Sequence, residues 1–114
     1  MNELLDQNLL DELKEIMEDE FVVLLDTYLA ESDKQLDSLK HAWTEQDMDQ
    51  LGRSAHTLKG SCSNVGAASM AALCMQVEVK ARSEDLSGVE HLIQELNVVH
   101  CSVSDAIADL RHSC

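Results

Sequence analysis

Proline is missing from this sequence altogether, and glycine occurs only four times in 114 residues. A chain so poor in helix breakers favours long helices joined by short connections. Aromatic residues are equally scarce, with Phe21, Tyr28 and Trp43 the full set. The interior must therefore be built from Leu, Val, Ile, Met and Ala, and the apolar share of 45% is enough for a packed core. No apolar run approaches the ~20 residues of a membrane-spanning helix. The first residues are acidic and carry no basic-then-apolar leader. A cytoplasmic location without a membrane partner is the expectation.

Positive charge is the next shortage. Eight Lys and Arg face 22 Asp and Glu, for a net charge of −14. Nucleic acid would be repelled, so no nucleic-acid partner is expected. The four cysteines form no Cys-x-x-Cys and no zinc spacing. Cys62 and Cys74 fall on apolar stripes, where the thiol acts as a small hydrophobe; Cys101 sits in a helical segment and Cys114 is the last residue. Free thiols in a reducing compartment are expected. None of His41, His91, His100 and His112 sits in a Glu-x-x-His arrangement, so a di-metal carboxylate bundle finds no support. There is no Walker loop, kinase glycine motif or nucleophile–base–acid triad. The chain has no visible means of drawing phosphate from ATP.

What is present is helical periodicity. The length suits one domain over residues 1–114. Residues 4 to 17 carry Leu5, Leu9, Leu13, Ile16 and Met17 at helical spacing, with Asp6 as a cap. A second helix is expected over about 20 to 44, where Phe21, Leu25, Tyr28, Ser32, Leu36, Leu39 and Trp43 follow each other by four or three. Val22 and Val23 widen that stripe at its start, where the first helix can cover them. Asp47-Met-Asp-Gln50 reads as the start of a third helix that ends before Gly66. A fourth spans about 68 to 83 on Met70, Leu73, Cys74, Val77 and Ala81. The last starts near Ser87 and runs to about 111 on Val89, Leu92, Leu96, Val99, Val103, Ile107 and Leu110. The expected fold is all-α: an antiparallel up-down four-helix bundle, with the short N-terminal helix as a lid.

One stretch organises the rest: Arg53-Ser-Ala-His-Thr-Leu-Lys-Gly-Ser-Cys-Ser-Asn-Val-Gly66. Its buried stripe is Leu51, Ala55, Leu58, Cys62 and Val65. At ~100° per residue, His56 lies ~130° from the centre of that stripe and points to solvent. Gly52 and Gly60 sit one turn either side of it, where side chains would crowd the ring. A glycine inside a helix costs roughly 1 kcal/mol relative to alanine. Two of them around one exposed histidine suggest cleared space for a large partner. Ser63 is small and on the same side, and Lys59 brings a cation beside the imidazole. Four of the eight cations, Arg53, Lys59, Lys80 and Arg82, lie in this neighbourhood, which suits transient handling of an anion. Neutral imidazole offers a lone pair that can take a phosphoryl group, and phosphoryl transfer asks chiefly for in-line approach and nearby cations.

His56-Thr57-Leu58-Lys59-Gly60, followed by Val65-Gly66-Ala67, resembles the signature of histidine-containing phosphotransfer (HPt) domains. The motif covers residues 55 to 67, and length and helix pattern extend the likeness over nearly the whole chain. The resemblance implies a phosphorelay intermediate: His56 accepts phosphate from a receiver-domain aspartate and returns it to another. It implies response-regulator receivers and a hybrid sensor kinase as partners, with Mg²⁺ supplied by the receiver and no cofactor of the chain's own. It also implies a carboxylate or amide about twenty-two residues after the histidine that bonds the other ring nitrogen, a position held by Glu78. Pairing of Glu78 with Arg82 one turn on is the competing reading.

Ala68, Ala71, Ala72, Met75 and Val79 form a second strip on the fourth helix, ~160° from its inward face. A receiver contact surface is expected there, with Gly52, Arg53, Ser63, Met75, Val79 and Arg82 as partner-facing residues on a monomer. The lid helix covering the strip, or two copies pairing through it, are the alternatives. At the level of function the alternatives are a helical adaptor or metal-binding bundle, and the His-bearing domain of a larger hybrid kinase. The start at Met1 favours a free-standing protein.

Overall fold

The computed structural model describes residues 4–113 and contains five helices: α1 (Gln7–Met17), α2 (Glu20–Thr44), α3 (Met48–Asn64), α4 (Ala68–Arg82) and α5 (Val89–His112). Helices α2 to α5 pack as a ring, α2 on α3, α3 on α4, α4 on α5 and α5 back on α2. The tight connections after Thr44 and Asn64 make α2, α3 and α4 run antiparallel in turn. This is the four-helix bundle that the periodicity implies, with α1 packed against α2.

Local chemistry starts the helices where expected. Asp6 accepts a hydrogen bond from the Leu9 amide at 3.1 Å, and Asp47 accepts one from the Gln50 amide at 3.1 Å. Each satisfies an amide with no partner inside its helix. The α3 stripe of Leu51, Ala55, Leu58, Cys62 and Val65 is wholly buried. A leucine such as Leu58 gains about 2 kcal/mol from that burial. Its rotation fixes everything on the opposite side of α3, including the direction of His56.

The turn from α3 to α4 holds the lid. Gly66 has φ +73°, a left-handed conformation that favours glycine. Its carbonyl accepts the Asp6 amide at 2.9 Å, and a Cβ on Gly66 would lie 2.7 Å from the Asp6 Cβ and 3.0 Å from the Asp6 nitrogen. Gly66 thus serves both the turn and the close approach of α1.

Three expectations need correction. Ile16 is exposed, and the residue of α1 that buries best is Leu10. Val23 is exposed because α1 does not extend over it. The last helix starts at Val89, not Ser87: Gly88 has φ +75°, and Asp85 accepts from both the amide and the hydroxyl of Ser87, which holds that segment in a turn. Buried Cys62 and Cys74 and exposed Cys101 are free thiols, while Cys114 lies outside the described residues.

Candidate functional site

His56 projects from the middle of α3 with its side chain 61% exposed. Its Nδ1 lies 2.9 Å from Glu78 Oε2 on α4, across the α3–α4 seam. The carboxylate accepts, so this nitrogen carries the proton and Nε2 keeps its lone pair. No other described residue bonds the ring.

Glu78 is the hub. Only 10% of its side chain is exposed, unusual for an unpaired carboxylate, and here it is paired three times over. Lys59 Nζ donates to Oε1 at 2.8 Å. Arg82 donates to Oε2 through Nε at 3.1 Å and through a terminal nitrogen at 2.9 Å. Burial pushes the carboxyl up, but the hydrogen bonds from Lys59, Arg82 and His56 outweigh it and bring Glu78 down to about 2. It is a fixed anion at any physiological pH. The two readings of Glu78, ring contact and pairing with Arg82, occur together.

The surroundings differ on the two sides of the ring. Toward the lid, a groove of about 430 Å³ is lined by Asp6, Leu9, Lys59, Ser63, Gly66, Ala68, Ala71, Ala72 and Met75. Toward the α2–α3 turn, a notch of about 490 Å³ is lined by Met48, Asp49, Gly52, Arg53, Ala81, Arg82 and Glu84. The strip on α4 is open: Met75 is 54% and Val79 59% exposed, and α1 reaches only its end with Asp6 and Leu9. Arg53 is exposed and makes no ion pair among the described residues.

The two glycines part company. A Cβ on Gly60 would meet nothing within 4 Å, so the space beside the ring there is empty. Gly52 is buried, and a Cβ on it would lie 3.6 Å from Ala81. It lies in the α3–α4 seam, where an added methyl group would make an ordinary contact with Ala81, and not in open space beside the ring. Lys59 rests with its ammonium on Glu78, beside the imidazole.

Some neighbours were not singled out from the sequence. Asp49 stands seven residues before His56, a helical spacing that puts both on one face; Glu84 joins it at the notch. Asp6 and Leu9 reach the groove through a long-range contact that no local pattern signals. Under the site, the Tyr28 hydroxyl lies 3.8 Å from Cys62 Sγ and 3.6 Å from Met70 Sδ, and burial pushes the Tyr28 hydroxyl up. His100 bonds Asp33 at 2.6 Å on the α2–α5 side, and His91 pairs with Glu95 on the surface. No group of three His, Cys, Asp or Glu among the described residues is arranged to hold a metal ion.

An all-helical bundle that presents an exposed imidazole, its tautomer fixed by a carboxylate with cations alongside, suits a carrier of phosphoryl groups. The Hpt domain family model matches residues 23–112. The structure of histidine-containing phosphotransfer protein B from Pseudomonas aeruginosa PAO1 is similar at 35% identity, with 97% of this chain and 96% of that chain covered and a TM-score of 0.94. An HPT domain of a hybrid histidine kinase from Shewanella shares the fold at a TM-score of 0.83, with 17% identity over 98% of this chain and 97% of that one. No curated protein matches the chain. The chain belongs to the Hpt family, and its role is histidine phosphotransfer in a phosphorelay. Hpt domains are phosphotransfer intermediates, not kinases, and work with receiver domains and histidine kinases. Among the described residues no helix is long and apolar enough to cross a membrane.

Proposed function

We propose that His56 is the phosphoacceptor of this relay and that Nε2 is the reacting atom. The observation that carries the reading is the ring itself: Nδ1 is held by Glu78 at 2.9 Å, the side chain is 61% exposed, and Nε2 has no partner among the described residues. In transfer, the Nε2 lone pair attacks the phosphorus of an aspartyl phosphate on a receiver. The P–N bond forms as the acyl P–O bond breaks, and the aspartate leaves as a carboxylate. The Nδ1 proton stays on the ring, held by Glu78. The reverse step hands the group to the aspartate of a second receiver. Lys59, already at the site, offers a cation to the phosphoryl oxygens. The receiver brings Mg²⁺, and the chain uses no cofactor of its own and binds no ATP.

The receiver docks over the open α4 strip. Ala68, Ala71 and Ala72 allow close approach, Met75 adapts its shape, and Val79 extends the contact past the site. Gly60 leaves room for the approach, Ser63 lies on the groove side, and Arg53 and Gly52 line the notch. Residues 1–114 act as one domain, a cytoplasmic monomer with no nucleic-acid or membrane partner.

The test is acid-labile radiolabel from a phosphorylated receiver. Wild type should be labelled, and His56→Gln, which keeps the helix, should fold and take none. Equal labelling of the variant places the acceptor elsewhere.

A further inference from the structure

Glu78 does two opposed things to the ring it holds. By accepting from Nδ1 it fixes the tautomer that leaves Nε2 free. As a bare anion it would also draw a second proton to the ring, because an opposite charge within a few ångströms favours the charged form by roughly 1–3 pH units. A doubly protonated imidazole has no lone pair and accepts nothing. The first effect serves phosphotransfer and the second opposes it.

The hydrogen bonds show how the two are separated. Glu78 Oε2, the oxygen that meets His56, also takes both contacts from Arg82, at 3.1 and 2.9 Å. Lys59 occupies the other oxygen at 2.8 Å. One carboxylate therefore meets two cations and the ring. Arg82 is four residues after Glu78 on the same helix, so α4 itself holds the pair together.

We infer that Arg82 is a positioning residue for the phosphoacceptor: by sharing and neutralising the Glu78 oxygen that binds the ring, it keeps His56 uncharged while leaving the tautomer fixed. The inference rests on the assignment of His56 above. The wider surround agrees with it. On α3 the charged neighbours are Asp49, Arg53 and Lys59; on α4 they are Glu78 and Arg82; Glu84 follows in the next turn. On the α2 side the adjoining groove contains Glu31, which accepts from Gln35. With Asp6 at the lid-side groove, five carboxylates face three cations around the ring. In a chain of net charge −14, removal of one of those cations leaves the surround more acidic still.

The experiment follows the His56 ring by NMR titration, together with the pH dependence of phosphotransfer from a phosphorylated receiver. Wild type, Arg82→Gln and Arg82→Lys are compared. Arg82→Gln should raise the ring's titration midpoint, and the acid limb of the transfer profile should rise with it. Arg82→Lys should bring both back toward wild type. A midpoint that stays put or falls in Arg82→Gln overturns the inference, a fall meaning that Arg82 only holds Glu78 in place. Arg82→Met is a second neutral variant should the glutamine disturb folding. The ring titration needs no phosphate, so a shifted midpoint with no label on His56 would sink the phosphoacceptor assignment and spare the role of Arg82.

Discussion

Glu78 is the residue on which the site depends, because one side chain joins α3 to α4 and orders three others. Its carboxyl is lowered from 4.5 to about 2 in the folded chain. A depressed acid stabilises the fold above its unfolded value and loses that contribution as pH falls through its folded value. Glu78→Gln should therefore be less stable than wild type at pH 7, by on the order of 2 kcal/mol. The gap should narrow between about pH 5 and pH 2. Urea unfolding of both proteins at pH 7 and pH 3 measures it; an equal gap at both pH values would mean the charge is not what stabilises the fold. At this scale the sequence was only partly legible. The outward direction of His56 followed from helical phase alone, and the Glu78 contact came with the family likeness. The swing of Lys59 onto Glu78 did not follow from either. Lys59 and Glu78 stand 19 residues apart on different helices, so their contact depends on how α3 and α4 pack and has no local signature.

Among the elements, α3 was the most readable and α1 the least. The α3 stripe is flanked by helices on both sides, so every residue on that face must bury, and sequence phase predicts which. Helix α1 packs on α2 and is tied to the α3–α4 turn by Asp6. Its burial is decided by where the lid lands, and so Ile16 kept the apolar spacing yet faces out. The anchoring point gives a direct prediction. Gly66→Ala puts a Cβ against the Asp6 backbone and forces a left-handed alanine. It should cost about 1–3 kcal/mol in urea unfolding, with hydrogen exchange in α1 rising most. Stability equal to wild type would show that the lid can reseat without loss.

On the scale of the whole molecule, Ala68, Ala71, Ala72 and Met75 of the open α4 strip share one groove with Lys59, which stands one turn along α3 from His56. Met75→Glu with Val79→Glu tests its use. Both side chains are more than half exposed, so the double variant should melt near wild type. Its affinity for a receiver should fall roughly tenfold or more, as expected when charges enter an apolar contact. A collapse in melting temperature, or unchanged affinity, removes the strip as a dock. The proposed acceptor ring of His56 has a further consequence. Two receivers cannot stand over the same ring nitrogen, so donor and acceptor must take turns, as at a turnstile. Throughput then depends on how fast each visitor leaves, and a partner that lingers blocks the queue for the rest. A footprint of alanines with one methionine and one valine, without a single aromatic anchor, suits brief visits.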